Sequence, residues 1–192
     1  MSAVRGLPSF AAPLLLAAAL LSGCSLNYEE ARLAEDLAAE TPDAVMIGLR
    51  HTVVNESRVW VRLEAQRAES FGKRKEIALQ GVRFQEYDAA GRLVTEARAD
   101  RAVFNVATED AAASGAIVIR APEEKATLSA EGLSWFKEGK RLEGGPDQKV
   151  RLEKEDGSFV EGRGFKADFR RRRLQFASEV RGRYAAQQVE PR

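Results

Sequence analysis

The sequence predicts an all-β domain, and three observations carry that prediction. From Asp43 onward apolar and polar residues alternate, which is the period of a half-buried strand and not of a helix. Turn-forming pairs punctuate the alternation at Ala90-Gly91, Glu138-Gly139, Gly144-Gly145-Pro146 and Asp156-Gly157. A short pattern also returns every 32 or 33 residues, as Leu63-Glu64-Ala65, Thr95-Glu96-Ala97, Leu128-Ser129-Ala130 and Val160-Glu161-Gly162. Each such unit has room for two strands and two turns, and stacking the units builds an elongated antiparallel structure whose strands zigzag, not a closed barrel.

The elements follow in order. Val45, Ile47, Leu49, His51 and Val53 share one face of a first strand, and Val59, Val61, Leu63 and Ala65 share one face of a second. Further strands are expected at Ile77 to Tyr87, Leu93 to Phe104, Ala113 to Arg120, Thr127 to Trp135, Lys149 to Leu152, Phe159 to Phe169, Leu174 to Phe176 and Val180 to Tyr184. Phe71, Phe104, Phe136 and Phe169 close the repeat units. The inward set runs Val61 and Leu63, then Leu79, Val82 and Phe84, then Phe104, Ile117 and Ile119. It continues through Leu128, Leu133 and Trp135, then Val150 and Leu152, and ends on Phe165, Phe169, Leu174, Phe176 and Val180. Two interiors fit it: a packed core, or a sheet open along one side whose apolar face takes acyl chains.

Ahead of the domain, Arg5 precedes an apolar stretch from Phe10 to Leu21, and Leu21-Ser22-Gly23-Cys24 follows. A charged start, a short apolar middle and small residues at the cut make an export signal over residues 1–23. The apolar stretch is shorter than the roughly 20 residues a membrane span needs. Leu-Ser-Gly-Cys is similar to the bacterial lipobox, in which the cysteine thiol takes a diacylglycerol and the chain is cut just before it. Cys24 is the chain's single cysteine, so lipidation leaves no thiol for a disulfide. Acyl chains on one residue anchor by about 0.8 kcal/mol per buried methylene. Residues 24–42 are rich in Ala and Glu with a thin stripe at Leu33 and Leu37, and predict a short helical tether. The β-domain is then expected over 43–184, with a disordered tail at 185–192.

Thirty Lys and Arg stand against 29 Asp and Glu. One of the cations is Arg5 in the leader, so the remainder is balanced and gives no sign of nucleic-acid binding. His51 is the single histidine and reads as structural. No cluster of His, Cys and carboxylates at ligand spacing suggests a metal, no phosphate-binding loop suggests a nucleotide, and no cofactor is expected. Two other classes remain open beside lipid binding. A scaffold lipoprotein of the cell envelope would have a dry, filled interior, and a carboxylate enzyme would bring two acidic side chains together in a pocket.

The order of features resembles the LptC family, the periplasmic bridge component of lipopolysaccharide export. The resemblance rests on the anchor and tether, on Trp60 with Leu63, Ala65, Ala68 and Phe71, on Leu79-x-Gly81-Val82 with Tyr87 and Gly91, and on Gly162-x-Gly164 with Asp168. It spans about Pro42 to Tyr184 and implies a twisted β-jellyroll that passes lipopolysaccharide, or a related glycolipid, along an apolar groove. It further implies that edge strands join neighbouring jellyrolls by β-augmentation. The first strand, Val45 to Val54, would meet inner-membrane ABC transporter subunits, and the last, Val180 to Tyr184, the next bridge protein. A partner ATPase would supply the energy. Many family members carry an uncleaved transmembrane helix, whereas Cys24 here implies a lipid anchor, on the periplasmic face of the inner membrane by family role.

Arg170 to Arg173 is the strongest charge run; it reads as a solvated turn or as a contact for lipid phosphates. Gly162 and Gly164 leave room for a ligand or another backbone to come close, or mark a local twist. The expected outcome of Gly164→Arg is loss of function with most of the far-ultraviolet β signal retained. Collapse of that signal would show the glycine to be structural alone.

Overall fold

The computed structural model describes residues 40–185; the expected export signal, most of the expected tether and the expected tail beyond Ala185 lie outside the described residues. Six long strands follow one another as a meander of antiparallel neighbours: β1 (Ala44–Asn55), β2 (Arg58–Phe71), β3 (Glu76–Tyr87), β4 (Leu93–Asn105), β5 (Ala111–Ala121) and β6 (Ala126–Phe136). Shorter strands complete the sheet: β7 (Arg141–Glu143), β8 (Lys149–Lys154), β9 (Phe159–Arg163), β10 (Lys166–Asp168), β11 (Arg173–Gln175) and β12 (Ser178–Arg183).

At β6 the sheet forks. The C-terminal end of β6 pairs with β7, which leads to β10 and β11, while its N-terminal part pairs with β8, which leads to β9 and β12. The stretch from Phe159 to Phe169, expected as one strand, is therefore two strands in different branches, divided at Gly164 and Phe165. Gly164 turns the chain with φ +62°, a conformation that costs glycine little and L side chains much. Two hydrogen bonds tie the fork: Gly144 N–H donates to Phe165 O at 2.8 Å and Ala177 N–H to Arg163 O at 2.8 Å.

A line of glycines crosses the sheet at the level of the fork. Gly48 on β1, Gly81 on β3 and Gly115 on β5 all have positive φ, at +66°, +61° and +92°. The register sets Gly48 and Gly81 opposite Gln66 of β2, and Gly81 opposite Asp100 of β4. Between β4 and β5 the register shifts at this level, with Asp100 against Gly115. The side chain of Gln66 occupies the space a Cβ on Gly81 would need, and Asp100 does the same at Gly115 while accepting the Ala116 N–H at 2.9 Å.

Alternation reverses at this crease. Across the crease β2 buries Ala65 and Ala68, three apart, and β6 buries Ala130 and Leu133, while Phe71 and Leu128 are buried nearer the strand ends. A strictly alternating strand would bury residues two or four apart. Counting straight through Gly48 accordingly misplaces the start of β1. Val45 and Ile47 were expected inward with Leu49, but they pair with Glu69 and Arg67 on the outer face and are exposed, whereas Leu49 and Val53 are half-buried. His51 is exposed on the same strand and not packed.

The packed core lies along the crease. One cluster holds Ala65, Ala68 and Leu79; the other holds Ile117, Leu128, Ala130, Leu133, Val150 and Phe165. Each draws residues from both sides of the crease, so the two halves of the inward face share one interior. Phe165 is 1% exposed, and its ring meets that of Phe176 at a centroid distance of 5.4 Å.

Gly115→Val should lower stability by about 2–3 kcal/mol, because it places a branched side chain at positive φ against Asp100. Gly91 also has positive φ, +77°, with open space where a Cβ would go, and Gly91→Asn should stay within about 0.5 kcal/mol of the parent. Urea midpoints for the two variants check this; equal loss at both sites would remove any special role for the crease.

Candidate functional site

The inward side chains form rows that run across the strands. On the side of the crease leading to β8, one row is Ala65, Val82 and Ala99 with Ile117, Ala130 and Val150; the next is Leu63, Phe84 and Ala97 with Ile119, Leu128, Leu152 and Val160. Val61 lies one step further out, opposite Glu86. On the side leading to β7, Ala68, Leu79, Ala102, Ala113 and Leu133 make one row. Ile77, Phe104, Ala111, Trp135, Leu142, Ala167 and Leu174 make the next.

Burial falls with distance from the crease. Leu79, Ile117, Leu128, Leu133, Val150 and Phe165 are buried, whereas Val61, Leu63, Val82, Phe84, Phe104, Ile119, Trp135, Leu152 and Phe176 are half-buried. Leu174 is on an inward row but exposed, because β11 is an edge. Phe169 leaves the expected strand altogether: it sits in the β10–β11 turn, 57% exposed, with its ring edge-on to Trp135 at 5.8 Å. Val180 on β12 is exposed. Gly162 is buried under Phe176, whose side-chain atoms lie 3.0–3.1 Å from where its Cβ would be, and a Cβ on Gly164 would meet that of Ala177 at 2.7 Å. At both glycines the close neighbour is the protein's own chain.

Three strands have one free edge among the described residues. β1 pairs with β2 alone, β11 with β10 alone and β12 with β9 alone. The expectation of a single C-terminal edge thus becomes two, one on each tine of the fork. β1 exposes Val45, Ile47 and Val54, and every residue of β12 is exposed. Unpaired backbone donors and acceptors beside apolar side chains are what an added strand needs.

The outer face is charged and largely self-paired. Arg50 meets Glu64 at 3.0 Å, and Glu96 gathers Arg98 at 3.3 Å, Arg83 at 3.6 Å and Arg120 at 3.9 Å. Its tightest point is Glu161 on β9, 3% exposed, opposite Arg151 of β8 and Arg181 of β12. Lys149 Nζ lies at 2.9 Å and Arg151 Nη1 at 3.1 Å, and Arg181 Nε donates to the same carboxylate. Hydrogen bonds from Lys149 and Arg181 hold Glu161 down to about 2 from its ordinary 4.5, against the opposing effect of desolvation. Sequence reasoning missed this site because the carboxylate and its partners lie on three strands whose register only the fold supplies.

The two ends of the strands carry opposite charge. At the end where β2 turns into β3, the turns hold Lys73, Arg74 and Lys75, then Glu109 and Asp110, then Lys137, Glu138 and Lys140, then Arg170, Arg171 and Arg172. At the other end they hold Glu56, then Asp88 and Arg92, then Glu123, Glu124 and Lys125, then Glu155 and Asp156. The turns of one rim hold eight cations against three carboxylates, with Asp43 beside Gly72 adding a fourth, and those of the other hold six carboxylates against two cations. No group of three or more His, Cys, Asp or Glu that could hold a metal occurs among the described residues. No helix among them is long and apolar enough to cross a membrane.

An open antiparallel sheet, creased along a line of glycines, apolar within and ion-paired without, defines a β-jellyroll. Over residues 13–185 the chain matches the family described as lipopolysaccharide-assembly, LptC-related, and it belongs to that family. Comparison with curated proteins finds none that matches. The LptC family is a non-enzymatic bridge component of lipopolysaccharide transport, periplasmic and tied to the inner membrane, and membership implies that this chain takes part in that transport.

Glu161→Gln should be less stable than the parent above pH 4.5, where the unfolded carboxylate is also ionised and the folded one gains its three cations. The gap should close as pH falls toward 2, where the parent's own carboxylate takes up a proton. Denaturant midpoints across that range test the sign; a gap that persists unchanged into acid would mean the charge of Glu161 contributes nothing.

Proposed function

We propose that this protein passes lipopolysaccharide, or a related glycolipid, along its inward apolar rows, from an inner-membrane ABC transporter toward the outer membrane. The observation that carries the proposal is the half-burial of Phe84, Phe104, Trp135 and Leu152 on inward rows away from the packed crease. A scaffold with no cargo would be expected to seal these large side chains. Each fully buried residue of this kind contributes about 1.5–3 kcal/mol relative to exposure, so leaving several half-open has a stability cost that a bound acyl chain would offset. The apolar interior spans the rows from β2 to β8, which suits a long acyl chain better than a compact ligand.

The anchor in this proposal is lipid on Cys24, with residues 24–42 as the tether. β1 is the strand offered to transporter subunits, and the pair β11 and β12 is offered to the next bridge protein. Gly162 and Gly164 serve by letting the chain approach itself closely at the fork, where the rear edge is shaped. Arg170 to Arg173 belong to the rim and the β11 edge, outside the groove.

Site-specific photocrosslinking in cells tests this reading, with the probe at Phe84, at Phe104 or at Phe176, and at Arg83 on the outer face as control. Glycolipid adducts should form at the three inward positions and not at Arg83. Protein adducts alone at the inward positions would favour the scaffold.

A further inference from the structure

We propose that the basic rim is a docking surface for an anionic lipid bilayer. The proposal does not depend on what the groove carries. Three features of the fold support it. First, the charge is sorted by topology. The strands alternate in direction, so successive turns fall on alternate rims, and cations predominate on one while carboxylates predominate on the other.

Second, three basic turns lie along one rim of the sheet. They join β2 to β3, β6 to β7 and β10 to β11, and the turn from β4 to β5, which carries Glu109 and Asp110, lies between the first two in the order of the sheet. At about 4.8 Å per strand the row runs roughly 29 Å. That length exceeds a single phosphate-bearing headgroup and suits an extended anionic surface. The row continues onto the outer face of β7, β10 and β11, where Arg141, Lys166, Arg171 and Arg173 line a shallow depression with Glu143 and Asp168.

Third, apolar side chains project among the basic turns, whose left-handed cations have a counterpart on the other rim in Lys125 at φ +49°. Lys75, Lys140 and Arg172 have φ of +54°, +46° and +50°, a region that glycine or asparagine enters at lower cost. Between the cations two apolar side chains project, Val106 at 48% and Phe169 at 57% exposure. Basic residues that attract headgroups, with an aromatic ring that enters the interface, are the chemistry of peripheral membrane binding.

Hydrogen exchange of the full chain, compared on vesicles of phosphatidylcholine alone and on vesicles that also contain phosphatidylglycerol, tests the proposal. With equal amounts of bound protein, the basic-rim turns should exchange several-fold more slowly on the anionic vesicles, and those of the acidic rim should not change. The protection should vanish at about 1 M salt, where the Debye length is about 3 Å. It should also vanish in the triple variant Lys75→Glu, Lys140→Glu, Arg172→Glu, and survive in Glu123→Gln with Glu124→Gln. Exchange in β6, read from the same samples, shows that each variant is folded. Equal protection on neutral vesicles, protection of the acidic rim, or the same protection from inorganic phosphate alone would overturn the proposal.

Discussion

The line of left-handed glycines is the constraint on which the rest of the molecule depends. Gly48, Gly81 and Gly115 occur on every second strand, and the strands between them place Gln66 and Asp100 over the bare backbone. This arrangement lets one sheet change the parity of its inward face halfway along each strand. Without it, either Ala65 or Ala68 would face water, and the same choice would recur at Ala130 and Leu133. The crease therefore determines where the core can be dense. It also determines that the long strands continue past the core into regions where inward side chains are only half covered.

Much of this was legible in the sequence and some was not, for reasons that can be named. The alternation and the 32- to 33-residue repeat pointed to long antiparallel strands, and the resemblance to a jellyroll family agreed with them. Gly48, Gly81 and Gly115 recur with nearly the same spacing as that repeat, so the crease left a trace, but nothing local says that a strand glycine will take a positive φ. Alternation counted straight through Gly48 misassigned Val45 and Ile47. β7 escaped notice because Arg141, Leu142 and Glu143 are too few residues to show a period. The fork was hidden because Phe159 to Phe169 has the pattern of a single strand, and only the turn at Gly164 divides it. Phe169 was counted inward by that same continuity.

The outer face follows a different logic. Exposed ion pairs contribute little each, about 0 to 1 kcal/mol, and the ladder around Glu96 is of that kind. Glu161 differs because its carboxylate is covered, and its partners tie β12 to a branch that otherwise holds it by one strand pairing. The charged turns were visible in the sequence, above all Arg170 to Arg173. Their sorting onto two rims was not, because it depends on which end of the sheet each turn occupies.

The fork has a consequence for symmetry. The front of the sheet is one long strand that crosses the crease, while the rear is two short strands, one on each side of it. Two copies joined through β1 about a two-fold axis would turn both forks outward and conceal both front strands, which leaves no front for a further rear to join. Joining front to rear leaves one front and one rear free at every step. A sheet built with unlike ends therefore has a direction, and any row assembled from such pieces inherits it.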